Sequence, residues 1–480
     1  MATSPSGQAY PSGQEPAAGA SMRRVIPAAL IGSALEWYDF YLYAVASALV
    51  FNKVVFPVDN EFIGTLAAFS TLALGYFIRP LGGALFGSLG DRVGRRHVLV
   101  ITLLVMGGAT VLMAFLPTYE QAGFWSPAML LVLRLVQGLG AGAEFGGSAV
   151  MSVEFARPRR RGLHGAWPAS GVYLGLLLAS AAMGGVASLP HDAFLSWGWR
   201  LPFAASVVVI GLALFIRLRL QESPAFKEVE REGEVMKAPL REVLTHERRG
   251  ALVLIGTQVA QSVMAYLFLT FITAYVTDTL HMDDSAGPFA VTVGAAVALV
   301  TMPLFGALSD RVGRRPVLLF GTVFCAVYAF PFFWIIDSTR SRFGLTAALV
   351  IGLGLGVGAM FGPQGAYFAE LFSARIRMTG LTFSREVGGA LAGGLTPIIA
   401  LSLVEWTGGS SWAVALFAVL ACVVIGLPAV LLGPETRGRS LLAPTRAELE
   451  ASTGLFEEAP RSAEADPEAA PFRAAGAAKR

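Results

Sequence analysis

Apolar residues fall in twelve long runs, 25–51, 62–89, 97–117, 126–154, 163–189, 200–220, 250–279, 286–308, 316–337, 343–371, 379–403 and 412–433, separated by polar breaks. A helix needs about 20 mainly apolar residues to cross a bilayer. The pattern therefore predicts an all-α membrane protein with twelve transmembrane helices. The polar stretch 221–249, with Lys227, Glu228, Arg231, Lys237, Arg241, Arg248 and Arg249, divides them six and six. The expected organisation is a disordered leader (1–24), a first six-helix bundle (25–220), a central loop (221–249), a second bundle (250–433) and a largely disordered tail (434–480). The run from Val25 to Phe51 contains acids and is too long for the core of a cleavable signal, so it is read as the first membrane helix. In the Ala-, Pro- and Glu-rich tail, Thr445 and Glu448 have capping-box spacing, but no heptad repeat follows.

Two of the breaks are copies of one another. Gly87-Ser88-Leu89-Gly90-Asp91-Arg92-Val93-Gly94-Arg95-Arg96 returns 219 positions later as Gly306-Ala307-Leu308-Ser309-Asp310-Arg311-Val312-Gly313-Arg314-Arg315. Phe145-Gly146 followed by Glu154 likewise matches Phe361-Gly362 followed by Glu370, and Glu222-Ser223-Pro224 echoes Glu435-Thr436. Duplicated cationic turns between apolar runs imply two homologous bundles that can rock against one another, with a binding site at their interface near the midplane. Such a protein moves something across a bilayer.

The distribution of Lys and Arg orients the chain. With both termini cytoplasmic, the inward loops hold Arg92/Arg95/Arg96, Arg157/Arg159/Arg160/Arg161, the central loop, Arg311/Arg314/Arg315, Arg375/Arg377 and Arg437/Arg439, whereas the outward loops hold only Lys53, Arg340 and Arg342. Composition agrees: 55% of residues are hydrophobic and 14% charged, against roughly 25% charged in a soluble domain. A net charge of +3 gives no reason to expect nucleic acid. Cys325 and Cys422 lie in apolar runs and read as small buried hydrophobes. The histidines have no metal-ligand or triad spacing and no phosphate-binding Gly-rich loop occurs, so neither an enzyme, a metal nor a cofactor is expected. Uphill work would draw on a gradient.

The two turns resemble the hallmark of the major facilitator superfamily. Leu35-Glu36-Trp37-Tyr38-Asp39-Phe40, Arg79-Pro80-Leu81-Gly82-Gly83, Arg134-Leu135-Val136-Gln137-Gly138 and Glu144-Phe145-Gly146-Gly147 further resemble its metabolite:proton symporter branch. The likeness covers nearly all of 25–440. Ala143, where the branch usually has Gly, and Trp167-Pro168 depart from its pattern. The resemblance implies two pseudo-symmetric six-helix bundles, proton-coupled import of a metabolite, and an inner (plasma) membrane location.

Charges inside the runs mark the candidate site, since Lys, Arg or Asp at helix centre costs roughly 2.5–3.5 kcal/mol. Glu36 and Asp39 share a helix face that Tyr43 continues, with Glu36 roughly 16 Å deep. They are read as proton carriers, the alternative being structural pairing with an Arg. Arg79 lies about 18 Å from Asp91 and so near the midplane, with Pro80 weakening the helix beside it. It is expected to clamp a substrate carboxylate, or else only to neutralise Glu36 or Asp39. The resemblance assigns Arg134 to proton coupling; Glu144 reads equally as a proton-site or a packing acid. Tyr43, Gln137, Gln258 and Gln261 complete the expected substrate contacts. Arg385 and Glu386, adjacent and so about 100° apart, are expected to find different partners and to serve the inner gate. By resemblance that gate is an ion-pair latch of Gly87, Asp91, Arg92, Gly94, Arg95, Arg96 and Glu154 with Gly306, Asp310, Arg311, Gly313, Arg314, Arg315 and Glu370.

The expected activity is import of a small organic anion with protons by rocker-switch alternating access. The expected partners are substrate, protons and membrane lipid, and a monomer is expected to suffice. A zwitterionic osmolyte such as betaine or proline is the alternative, although its osmosensing relatives typically carry a coiled-coil tail. An efflux antiporter lacks its usual Gly-Pro signature between Gly171 and Gly185, and a membrane-embedded sensor would need a larger soluble region.

Overall fold

A computed structural model describes residues 18–56, 70–71 and 73–441, and among these every regular element is helical. The spanning elements are α1 (Ala18–Ala46), α2 (Arg79–Val93), α3 (Arg95–Met113), α4 (Trp125–Glu154), α5 (Pro158–Ala187) and α6 (Arg200–Leu218) in the first half. The second half holds α7 (Arg248–Thr279), α8 (Ala286–Val312), α9 (Arg314–Thr339), α10 (Arg342–Leu371), α11 (Arg377–Trp406) and α12 (Trp412–Leu432). Ten of these are long and apolar enough to cross a bilayer. The other two are α1, which carries Glu36 and Asp39, and α2, whose expected outer part (62–69 and 72) lies outside the described residues. The tail with Thr445 and Glu448 also lies outside them. Two short helices, Pro224–Arg231 and Pro239–Thr245, occupy the central loop.

The leader differs from expectation. α1 begins at Ala18 rather than Val25, because Met22 is buried with Val25 against Leu99, Met151 and Leu220. Arg24 there donates to the Arg219 carbonyl beyond the end of α6 (3.4 Å).

Glycine places the two halves in contact. A Cβ on Gly87 would lie 2.9 Å from Thr379 Cα, and one on Gly306 would lie 2.5 Å from the Gly162 carbonyl. α2 thus packs on α11 and α8 on α5, backbone to backbone, at the end bearing the duplicated turns. Phe145 and its counterpart Phe361 stack across the halves, centroids 5.4 Å apart. Large side chains such as Leu81, Val208, Val327 and Leu432 are exposed on the outside, as a bilayer solvent permits. Trp125, Trp334, Trp406 and Trp412 are exposed near helix ends, as in an interfacial belt.

Candidate functional site

A cavity lies between the halves, lined by Trp37, Tyr41, Tyr76, Arg79, Val172 and Tyr173 from the first, and by Gln258, Gln261, Ser262, Tyr266, Phe361, Arg385 and Glu386 from the second. Arg79 opens α2 directly after a break at Ile78, where Pro80 cannot supply a helix N–H. Its guanidinium pairs with Glu36 (2.8 Å), stands 4.0 Å from Glu386 of α11, and lies over the Tyr76 ring (4.5 Å). Tyr76 and Tyr266 join their hydroxyls across the halves. Gln258 donates to Gln261 (3.1 Å) and Ser262 (2.8 Å), leaving its own carbonyl oxygen buried and unbonded.

Arg385 and Glu386 correct the sequence reading twice. They line this central cavity rather than the turn-bearing end, and they bond to each other rather than diverging. Backbone directions 100° apart do not keep two long side chains apart when both curl toward the same polar space. Arg385 also lies over the Phe145 ring (3.8 Å).

The acids of α1 separate. Glu36 faces Arg79, while Asp39 accepts from Thr110 (2.5 Å) and Ser206 (3.4 Å). Thr110 in turn accepts from Gln137 (2.6 Å), and Gln137 accepts from Arg134. Arg134 therefore reaches Asp39 through two side chains, with no carboxylate within 4.0 Å of it among the described residues. The Tyr43 ring lies under its guanidinium (4.1 Å), and the Tyr43 hydroxyl bonds Thr71. Gln137 and Arg134 line a smaller cavity inside the first half, together with Glu36 and Arg79. So of the expected substrate contacts, Arg79, Gln258 and Gln261 line the central cavity, and Tyr43 and Gln137 do not. Glu144 pairs with Arg217 of α6 and accepts from Thr102 (3.3 Å) and Ser148 (3.2 Å), wholly within the first half. The packing reading of Glu144 describes its surroundings, and its partner Arg217, in the last turn of α6, was missed.

At the turns, Gly94 and Gly313 take φ of +110° and +111°, which only glycine adopts readily. Each chain reversal lets an Asp cap a helix of the opposite half. Asp91 accepts from the backbone N–H groups of Met378 (3.2 Å) and Thr379 (2.8 Å) and from the Thr379 hydroxyl (2.7 Å), at the start of α11. Asp310 accepts from the N–H groups of Gly162 (2.7 Å) and Leu163 (2.9 Å), near the start of α5. A carboxylate at a helix N-terminus satisfies free N–H donors and complements the dipole. Arg95 pairs with Asp91 (3.1 Å) and Glu154 (3.7 Å), and Arg314 with Asp310 (2.7 Å) and Glu370 (3.2 Å). Glu154 also binds Arg377 of the opposite half (2.6 Å).

Four arginines expected in the latch are elsewhere. Arg92 and Arg311 are exposed and form no ion pair among the described residues. Arg96 donates to the Leu218 carbonyl (2.7 Å) and Arg315 to that of Leu431 (2.6 Å), each within its own half. The reversal at Gly94 and Gly313 is the cause: it buries Asp91 and Arg95, and likewise Arg314, at the interface and leaves the neighbouring Arg92, Arg96, Arg311 and Arg315 farther out. Glu222 and Glu435, noticed only as an echo, cap the helices after the turns, receiving the N–H of Arg95 (3.0 Å) and of Arg314 (2.9 Å). Arg377, read as a topology charge, joins the ion pairs at the turns through Glu154.

Comparison with known proteins agrees with this architecture. The pattern of the Major Facilitator Superfamily matches residues 29–392 and, in a second alignment, 254–474. The chain is 36% identical to the inner membrane metabolite transport protein YhjE of Escherichia coli strain K12, covering 88% of this chain and 96% of that protein. It is 32% identical to the shikimate transporter of the same strain (86% and 95% covered) and 33% identical to its proline/betaine transporter (89% and 86%). Among solved structures, the proton:xylose symporter XylE bound to 6-bromo-6-deoxy-D-glucose shares the fold, with TM-score 0.67 and 19% identity over 90% of this chain and 99% of that one.

Proposed function

Because this chain belongs to the major facilitator superfamily, whose members are transporters and not enzymes, we propose that it imports a small organic anion together with protons by rocker-switch alternating access. The observation that carries this reading is the convergence of two guanidiniums, Arg79 and Arg385, on one cavity between the halves. Each such charge costs roughly 2.5–3.5 kcal/mol at helix centre, so two are retained only for a purpose. A guanidinium grips a carboxylate through two parallel hydrogen bonds, while Gln258, Gln261 and Ser262 offer partners for hydroxyls. In the empty cavity the cations are balanced by Glu36 and Glu386. A proton on one acid frees an arginine for the incoming anion, and the pair then crosses with no added charge. Asp39, linked through Thr110 and Gln137 to Arg134, is the second candidate proton site in the first half. The duplicated turns form the cytoplasmic latch in this reading, with both termini inside the inner membrane, as the arginine distribution favours. One chain suffices, because the cavity is built by a single polypeptide.

One observation favours a zwitterion instead. Trp37, Tyr41, Tyr76, Tyr173 and Tyr266 offer an aromatic wall that attracts a quaternary ammonium, and one relative is a proline/betaine transporter. Uptake of labelled shikimate, succinate and glycine betaine into proteoliposomes with an imposed inward proton gradient separates these. The proposal expects a carboxylate to accumulate, faster as the outside is made more acidic, and a protonophore to abolish accumulation. Uptake indifferent to the protonophore contradicts proton coupling; betaine alone accumulating selects the zwitterion.

A further inference from the structure

Glu386 stands where a substrate carboxylate would stand. Its Oε1 accepts a hydrogen bond from Arg385, and its Oε2 lies 4.0 Å from Arg79 Nη1. The carboxylate thus lies between two cations, one from α2 of the first half and one from α11 of the second. All three groups line the central cavity. Glu36 has a different position. It holds Arg79 at 2.8 Å but lines only the smaller cavity within the first half.

We infer that Glu386 is an internal stand-in for the substrate's carboxylate, and that its protonation is the event that admits the anion and ties the two fluxes together. The inference rests on the organic-anion reading and deepens it by naming the acid that enforces coupling.

The rule follows from counting charges between Arg79 and Arg385. In the empty, unprotonated carrier, Glu386 supplies one negative charge between them and bridges the halves. When a proton from the outer medium binds the Glu386 carboxylate, that charge is lost; Glu36 still holds Arg79, and Arg385 is left unbalanced. The halves cannot then close around the uncompensated Arg385, because a buried charge without its partner is costly. A substrate carboxylate restores the missing charge and the bridge, so the doubly loaded carrier closes as the empty one does. An anion arriving without a proton meets a site already filled by a like charge. Closure is therefore allowed when empty or fully loaded, and opposed when half loaded, which is the condition for symport. After reopening inward, loss of the proton to the cytoplasm restores the Glu386 charge and expels the anion.

The surroundings of Glu386 fit this role. The titratable and charged groups facing it are Arg385 on its own helix, Arg79 on α2, Tyr76 just before the break at Ile78, Glu36 on α1 beyond Arg79, and Tyr266 on α7, bonded to Tyr76. Among the described residues no other carboxylate lies within 4.0 Å of both Arg79 and Arg385.

Glu386→Gln tests the inference in proteoliposomes, beside the wild type and Glu36→Gln, with labelled shikimate and succinate. The wild type should accumulate a carboxylate against its gradient when the outside is acid. Glu386→Gln should exchange that carboxylate across the membrane at a rate that no longer depends on pH, and should lose at least tenfold of gradient-driven accumulation. Glu36→Gln should lose exchange and accumulation together, since Arg79 loses the partner that holds it. If Glu386→Gln still accumulates substrate with the wild-type pH profile, the inference is overturned while the transport reading stands. If the wild type accumulates no carboxylate, both fall. Should Glu386→Gln exchange nothing, calorimetric binding of the same carboxylates to the purified variant at pH 8 decides. The inference predicts at least tenfold tighter binding than wild type at that pH, and equal or weaker binding overturns it.

Discussion

The two latch copies share a plan but differ in how they reach across the molecule. In the first, Glu154 is gripped by Arg377 of the opposite half at 2.6 Å, while Arg95 donates to the opposite half's Ala374 carbonyl (2.6 Å). In the second, Arg314 is satisfied by Asp310 and Glu370 of its own half. Arg161, the counterpart of Arg377 by sequence position, donates instead to the Arg439 carbonyl (2.6 Å). The Asp caps cross the interface in both copies, whereas among the described residues of the two copies a carboxylate–arginine pair crosses it only in the first. An interaction biases opening and closing only if it differs between the two states. The first copy should therefore control closure through side-chain charge, and the second should mainly stabilise its own bundle.

Exchanging the acids gives the largest contrast. Glu154→Gln leaves the buried Arg377 without a carboxylate, and breaking a buried pair costs about 3–5 kcal/mol. Closure at the turn-bearing end should weaken strongly, seen as longer distances between spin labels at positions 92 and 311, with Cys325 and Cys422 replaced. Glu370→Gln removes a contact within one half, so it should lower thermal stability and leave that distance distribution nearly unchanged. Equal opening by both variants would remove the asymmetry.

Next come the caps. Asp91→Ala and Asp310→Ala each remove a helix cap supplied by the other half, at about 1–2 kcal/mol. Asp91→Ala should open the latch more, because three donors of the opposite half lose their acceptor against two. The same label pair measures both.

The turn glycines should show no asymmetry. Gly94→Ala and Gly313→Ala impose about 1–3 kcal/mol of backbone strain each at nearly identical φ, so their losses in thermal unfolding temperature should match. The smallest effects belong to Arg92→Ala and Arg311→Ala. Being exposed and unpaired, they should change stability by no more than about 0.5 kcal/mol, which also justifies them as labelling sites.

What could be read in the chain beforehand was whatever depends on sequence spacing alone. Apolar run length marked the helices, and the repeated Gly-x-x-x-Asp-Arg-x-Gly-Arg-Arg turns marked the two halves. Counting from Asp91 placed Arg79 near mid-depth, where it lines the central cavity. Partner choice was not legible. Asp91 finds Thr379 and Glu154 finds Arg377 only after helices far apart in the chain have packed. Which arginine of each turn faces the interface was not legible either, because the reversal at Gly94 and Gly313 breaks the helical register between Asp91 and Arg95 and between Asp310 and Arg314. Arg385 and Glu386 were misjudged because helical direction describes where a side chain starts and not where a flexible one ends.

The central claim, that Arg79 receives a substrate carboxylate between two rocking halves, is tested most directly by proton-driven uptake of labelled carboxylates in proteoliposomes holding equal amounts of wild type and Arg79→Gln. The account predicts accumulation by the wild type and a loss of at least a hundredfold in the variant, with the variant still folded in the membrane. Undiminished accumulation by Arg79→Gln would contradict it.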